Sequence, residues 1–373
     1  MAESTRLVDL VQLGINDFLN EQGAGLAQIS PDLNEVIALA RDFLSGGKRF
    51  RALFCYWGWQ AASALPDGFD PLPNEDASAD LPGIVLAASA LEVFHAAALV
   101  HDDIMDNSDT RRGAPSAHKR FAELHTAARF SGSPAVYGGS AALLLGDLLL
   151  GWSDDLFDRG TARLASPAAA RAGRAEFSRM RTEVMAGQYL DIFEENAWAT
   201  HPESTALTRA HRVIVYKSAK YSVEAPLAIG GALGGATAAQ LASLRAFGLP
   251  LGVAYQLRDD LLGVFGDPAV TGKPAGDDLR EGKRTVLIAL ARTRLPAPVR
   301  NLIDELLGDP ELDAQQVDVI RSAIRECGAV DEVERIIAHN VTLARDAIRD
   351  APISPSARDQ LVALANTVTS RTA

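Results

Sequence analysis

Two aspartate-rich helix ends restrict this chain more than any other feature. The first is Leu99–Gly113, LVHDDIMDNSDTRRG, which follows the apolar run Ile84–Val100. Small and aliphatic residues over that length predict a buried helix. Asp102 and Asp106, four residues apart, share one face of it, and Asp103 adjoins Asp102. Like charges at that spacing repel, and at the end of an apolar helix they need a compensating cation. Oxygen ligands that leave room for water and phosphate suit Mg2+. Arg111 and Arg112 follow directly, and arginine grips phosphate through paired donors. Taken alone, the stretch reads equally well as an acidic helix end with solvated charges.

A second cluster breaks the tie. Tyr255–Asp267, YQLRDDLLGVFGD, again lies on an apolar helical pattern formed by Leu249, Leu251, Val253, Leu257, Leu261 and Leu262. Asp259 and Asp260 repeat the carboxylate pair, with Gln256 one turn earlier on the face of Asp260. The two clusters predict facing helices that grip one polyanion through bridging metals.

A formal charge of −12 over 373 residues argues against a nucleic-acid surface, so a polyanionic ligand needs a local basic lining and metal ions. Candidates for that lining recur along the chain. Gly46-Gly47 precedes Lys48, Arg49 and Arg51, three basic residues able to hold a diphosphate where glycine lets backbone come close. The bland alternative is an ordinary helix C-terminus. Gln188 and Asp191 share a helix face, and Lys217-Ser218 and Lys220 form a further basic stretch. Beyond the second aspartate cluster, 265–276 reads as a Gly/Pro loop that presents Lys273 and leads into DDLREGKRT, with Lys283. A basic loop that orders over phosphates would close a site and exclude water.

In this set of motifs the chain resembles the trans-type isoprenyl diphosphate synthases. The resemblance rests on both aspartate motifs, on Gly46–Arg51, on Gly187–Asp191, on Lys217-Ser218, and on Gly272-Lys273 through Gly282–Thr285. It covers most of the chain. One departure is Gly263, which stands where many members carry the last aspartate of the second motif. The resemblance implies an all-α helical bundle of the isoprenoid synthase type around a central cavity. It implies Mg2+, three ions per site, on Asp102, Asp106 and Asp259, with Asp191 as a further carboxylate. Lys48, Arg51, His95 and Arg112 would hold isopentenyl diphosphate. Arg111, Lys217 beside Ser218, Lys273 and Lys283 would serve the allylic diphosphate, with Asp103 and Asp260 completing the acidic motifs. Gln188 would neighbour the allylic chain, and the Tyr255 ring and Gln256 amide would stabilise its cation. A homodimer is expected because the family is mostly dimeric.

The rest of the chain agrees with helices. Abundant alanine and leucine with only 6% aromatic residues favour close helix packing. Residues 7–20 and 32–44 show amphipathic spacing, with a break expected at 21–25. The acidic, proline-rich 65–82 reads as an exposed loop, and 115–120 and 131–139 as further loops before a buried helix over 140–152. A helix is expected over about 167–195, a glycine-rich break at 230–235, and packing helices over 286–370. No strand alternation is sustained. One all-α domain over 1–373 follows, with a core of about 30–365 and an N-terminal helical extension. His101 and Asp147 read as structural. Cys55 and Cys327 carry no metal-site or disulfide spacing and fit a reducing cytoplasm. The N-terminus lacks a basic region followed by an apolar core, and Glu92 and His95 interrupt the longest apolar run, which argues against a membrane span.

The function expected is a prenyltransferase that extends an allylic diphosphate with isopentenyl diphosphate. Product length follows from the helix before Asp102. Ala97 and Ala98 are small where family members that stop at fifteen carbons commonly carry an aromatic, and Phe94 is the first bulky side chain beyond them. Geranylgeranyl diphosphate is the product expected, with a longer chain as the alternative. A class I terpene cyclase would lack the second diphosphate site, and a non-catalytic regulatory subunit would lack one aspartate cluster.

Overall fold

The computed structural model describes residues 2–63, 75–267 and 276–369. They are almost wholly helical, as the sequence predicts. Helix α1 (Ala2–Ile29) runs through Gly23 and Gly25, so the break expected at 21–25 is absent. Two helical glycines cost about 1 kcal/mol each, and the buried row Val11, Ile15, Phe18 and Leu19 outweighs that. The stop comes at Ser30, whose hydroxyl accepts from the Asp32 N–H.

Helices α2 (Asn34–Phe43) and α3 (Phe50–Ser63) follow, then α4 (Glu75–Met105), which holds Pro82 inside it. The loop expected over 65–82 is therefore helix from Glu75 onward; 64–74 lie outside the described residues. A two-residue ladder, β1 (Thr110–Arg111) and β2 (Ala114–Pro115), turns back immediately after α4. Its turn residues Arg112 and Gly113 have φ of 55° and 77°, the left-handed pair that tight hairpins use. Helix α5 (Ala117–Ala127) begins inside one predicted loop, and α6 (Pro134–Thr161) begins inside the other. Ser133 caps α6 by accepting from the Val136 N–H, and Pro134 sits in its first turn, a start signal that a loop reading overlooks.

Next come α7 (Pro167–Ala197), α8 (Ala206–Val213), a π-helical segment (Ile214–Glu224), α9 (Ala225–Leu233) and α10 (Ala238–Phe265). The break expected at 230–235 falls only after Leu233, because Gly230 serves close packing: a side chain there would overlap the Cys55 carbonyl. The short α11 (Asp277–Arg280) leads to α12 (Val286–Arg294), α13 (Ala297–Leu306), α14 (Ala314–Glu326), α15 (Ala329–Arg349) and α16 (Pro355–Thr369).

The chain divides into two compact units. One comprises Met1–Glu176, Pro226–Leu241 and Ile353–Gln360; the other comprises Phe177–Ala225, Ala242–Pro352 and Leu361–Ala373. In the first, α4 packs along α6 and also meets α1, α3 and α5. Its Ile84, Leu91, Phe94, Ala97 and Val100 are buried, as are Leu145, Leu149, Leu156 and Phe157 of α6. In the second, α12 is buried on every side from Val286 to Ala291 and packs against α8 and α15. A helix apolar all round belongs at the centre of its unit.

Among the described residues, 79–105 and α6 are long and apolar enough to cross a membrane. The first has 78% of its most apolar window buried inside the protein and α6 only 33%.

Candidate active site

In the first unit a short turn opens the cationic site. Gly46 and Gly47, at φ of 63° and 91°, reverse the chain between α2 and α3 in a conformation that side chains resist. Lys48 then stands exposed, with its ammonium 5.9 Å from the Phe50 ring centre. Arg49 does the opposite of what its neighbours suggest. It is 5% exposed and turns inward, to Gln12 Oε1 at 2.6 Å, to Glu92 Oε2 at 3.4 Å and to the Leu44 carbonyl. Of the three basic residues, then, Arg49 is a clamp inside the fold rather than a diphosphate ligand.

Arg112, exposed on its hairpin turn, brings both terminal nitrogens to 3.9 Å from the position a Gly47 side chain would take. The turn and the hairpin therefore meet. His95, one of the half-buried residues of α4, lies deep beside them. Desolvation, followed by the charges of Arg51, Arg112, Arg111 and Arg49, holds its imidazole pKa well below the ordinary value, so the ring is neutral. Arg51 and Arg112 put positive charge beside this neutral histidine, which favours an anion there, whereas Arg49 and Arg111 are paired with Glu92 and with Asp102 and Asp103.

The first aspartate motif ends α4 as expected. The Asp106 N–H still donates to the Asp102 carbonyl at 2.8 Å, so both belong to the last helical turn. Asp103 is fully buried and accepts from Arg111 Nε at 2.8 Å, while an Arg111 terminal nitrogen reaches Asp102 Oδ2 at 3.3 Å. The hairpin thus holds Arg111 against the motif. His101 Nε2 lies 3.6 Å from Asp147 Oδ1, on an exposed side chain.

In the second unit, Asp191 of α7 accepts from Lys217 and lies 3.4 Å from Lys283, which also pairs with Glu195 at 2.9 Å. Lys217 sits in the π-helical segment, a form frequent at functional sites. Gly187 lets that segment lie on α7, since a side chain there would overlap the Lys217 backbone. Gln188, Ser218 and Tyr255 are half-buried in this unit. Gln256 Nε2 donates to Asp260 Oδ1 at 2.8 Å, the pairing their spacing predicts. Asp260 is 5% exposed, and burial, with the charges of Asp278, Asp259 and Asp191, pushes its carboxyl well above the usual range against the Gln256 hydrogen bond. Lys273 lies outside the described residues. Glu195 and Asp278 were not singled out in the sequence, where each reads as one more acid on a polar helix face.

The carboxylates suit a hydrated divalent cation. Asp260 Oδ2 is buried with no hydrogen-bond partner among the described residues, an orphan acceptor in a set of acids. Among the same residues no three acidic, histidine or cysteine side chains close tightly enough to cage an ion. Mg2+ demands no such cage, since it keeps several waters and completes its shell with substrate phosphates.

A family model described as polyprenyl synthetase matches residues 34–326, which include every motif described above. The chain belongs to the polyprenyl synthetase family. As a member it is a transferase that handles prenyl groups, and its all-α fold is that of the isoprenoid synthases. A crystal structure of geranylgeranyl pyrophosphate synthase from Corynebacterium glutamicum, complexed with isoprenyl diphosphate and magnesium, is 38% identical with a TM-score of 0.88. The match covers 98% of this chain and 99% of that one. Geranylfarnesyl diphosphate synthase of Aeropyrum pernix is 30% identical over 86% of this chain and 88% of its own. Geranylgeranyl diphosphate synthase of Methanosarcina mazei is 27% identical over 75% of this chain and 78% of its own.

Proposed function

We propose that this synthetase condenses isopentenyl diphosphate with allylic diphosphates to make geranylgeranyl diphosphate, as a cytoplasmic homodimer with three Mg2+ ions per site. The observation that carries this reading is the approach of Arg112 to the Gly46-Gly47 turn, with His95 feeling its charge and that of Arg51, in a chain that also bears two aspartate motifs. A cyclase, with one diphosphate to bind, has no use for a second cationic site.

Roles divide by charge. Lys48, Arg51 and Arg112 hold the diphosphate of isopentenyl diphosphate. His95, neutral, adds one N–H donor without adding repulsion. Asp102, Asp106 and Asp259 would hold magnesium, with Asp191, between the two motifs in sequence, as a further carboxylate. Bound Mg2+ supplies positive charge to the diphosphate that departs as the allylic C–O bond breaks. Lys217, Lys273, Lys283 and Arg111 add fixed cations for the same developing charge. In the pairing of Lys217 and Lys283 with Asp191 these cations are already oriented, and a diphosphate would compete for them as a richer acceptor. The alkene of isopentenyl diphosphate then supplies the electron pair for the new carbon–carbon bond, and one proton leaves the product. The Tyr255 ring and the Gln256 amide stabilise the cationic carbon.

The chain length rests on α4. Ala97 is fully buried and Ala98 half-buried; Phe94, one turn before Ala98, is 1% exposed. Small residues ahead of a packed aromatic suit a product of twenty carbons. A homodimer accounts for α6, whose Val136, Leu143 and Leu144 are exposed on an otherwise apolar helix.

The test is incubation of purified protein with isopentenyl diphosphate and dimethylallyl, geranyl or farnesyl diphosphate. Prenyl alcohols of twenty carbons after dephosphorylation, lost in EDTA, support the reading. Cyclised hydrocarbon from geranylgeranyl diphosphate alone would overturn it.

A further inference from the structure

A second set of basic residues gathers around the start of α12, none of them assigned above to metal or diphosphate. Arg284 stands just before the Thr285 cap of that helix, and Arg292 lies on it one turn beyond Ile288. Trp198, directly after α7, joins them. The guanidinium carbons of Arg284 and Arg292 lie 3.8 Å and 4.8 Å from the centre of its ring. These three side chains, with the buried Ile288 and Ala289, line a cavity of about 230 Å³ in the second unit. The exposed His201 and Glu203 line it as well, so it opens to solvent.

The charges around this cavity do not balance. Arg209, on one wall, is matched by Glu194, whose two oxygens accept from its Nε at 2.8 and 3.0 Å. On the other wall Arg284 and Arg292 share a single oxygen of Asp304, the former at 3.0 Å. Glu203 is 3.8 Å from Arg292 but closer, 3.2 Å, to Arg300. Arg284, Arg292 and Arg300 are thus served by only two carboxylates. The Arg284 side chain is 9% exposed, and its Nε is buried with no hydrogen-bond partner among the described residues. Burial holds its pKa below the usual arginine value against the pull of Asp304. A buried cation with an unspent donor gains from a further acceptor. Guanidinium donors suit phosphate and carboxylate oxygens best. Sites for drug-sized molecules span about 300–1,000 Å³, so this smaller cavity fits a head group with a short tail.

We propose that the cavity binds the phosphate group of a small phosphate ester, with Arg284 and Arg292 on its oxygens and Ile288 and Ala289 against its carbons. A phosphate offers three strong acceptor oxygens to two separate guanidiniums, where a carboxylate offers two. Glu203 competes with the ligand for Arg292. The site needs neither the metals nor the diphosphate residues, so it stands apart from the proposed function.

The experiment labels the full chain with 5-fluorotryptophan and follows its fluorine NMR spectrum in EDTA as pentyl phosphate is added. Of the four tryptophans, Trp57, Trp59 and Trp152 lie in the first unit, so the resonance that Trp198→Phe removes reports on this cavity. That resonance is expected to shift saturably with pentyl phosphate, and to need more inorganic phosphate, which lacks the carbons. Arg292→Gln is expected to weaken binding about 10–100-fold, the worth of a charge-assisted hydrogen bond. Glu203→Gln removes an exposed competitor and leaves the core untouched, and is expected to tighten binding about twofold to fivefold. A purely structural Arg292 would not produce that gain. No saturable shift of the Trp198 resonance would overturn the proposal, as would wild-type affinity in a folded Arg292→Gln or affinity not raised by Glu203→Gln. Pentanoate binding as tightly as pentyl phosphate would overturn the choice of phosphate, and inorganic phosphate binding as tightly would overturn the ester.

Discussion

Replacing Ala98 by phenylalanine should shorten the product by one isoprene unit. Along a helix axis, four residues place Ala98 about 6 Å from Asp102, and eight place Phe94 about 12 Å away. An extended isoprene repeat is about 5 Å long. The interval between the two side chains is therefore close to one repeat, and an aromatic at 98 removes the space of that repeat. Ala98 is half-buried, so the ring has somewhere to go without emptying the core, whereas the fully buried Ala97 offers no such room. Fifteen-carbon product should dominate in Ala98→Phe, with kcat/KM for shorter primers little changed. Phe94→Ala should lengthen the product, but Phe94 is packed on all sides and its loss costs about 3–5 kcal/mol of stability. Phe94→Leu keeps most of the packing and should lengthen the product less. The assay is chromatography of the dephosphorylated alcohols. An unchanged product from a folded Ala98→Phe enzyme would show that the chain does not run along α4.

Asp102→Ala and Asp259→Ala should each lower turnover by about 10²–10³-fold or more with the fold intact by circular dichroism, because each removes stabilisation of developing charge; near-normal turnover would refute the metal assignment. Arg112→Ala and Lys48→Ala should raise KM for isopentenyl diphosphate about 10–100-fold, the worth of a charge-assisted hydrogen bond, and leave KM for the allylic substrate nearly unchanged; steady-state kinetics with each substrate varied decides. His95 has a folded pKa below its unfolded value, so above about pH 6.5 both states hold it neutral, and below that only the unfolded chain takes up the proton. Stability should therefore fall with pH from about 6.5 downward, and His95→Gln should flatten that part of the profile in chemical denaturation. Leu144→Glu, at an exposed apolar position of α6, should yield monomers by light scattering; an unchanged mass would refute that face as the dimer contact.

Much of the site could be read from the sequence because helical spacing is rigid. The pairing of Gln256 with Asp260 and the shared face of Asp102 and Asp106 follow from 3.6 residues per turn alone. What spacing cannot show is which way a side chain turns when two directions are open. Arg49 sits between Lys48 and Arg51 in a basic run, and partners distant in sequence, Gln12 and the buried Glu92, show why it points inward. Asp278 is hidden for the same reason, since its charge acts on Asp260 from a separate helix. Local breakers do not end a helix where tertiary packing overrides them: Gly23, Gly25 and Pro82 all lie inside helices whose buried faces hold them.

The inward clamp of Arg49 has a consequence for where this protein can be cut. The family model's match begins at residue 34, so α1 lies wholly before that match. Yet Gln12 of α1 accepts from Arg49, and Val11 and Ile15 of α1 are completely enclosed. A polypeptide trimmed to the boundary of that match would leave a guanidinium without one of its acceptors. An expression clone cut at the edge of that match would therefore lose a helix on which the fold depends.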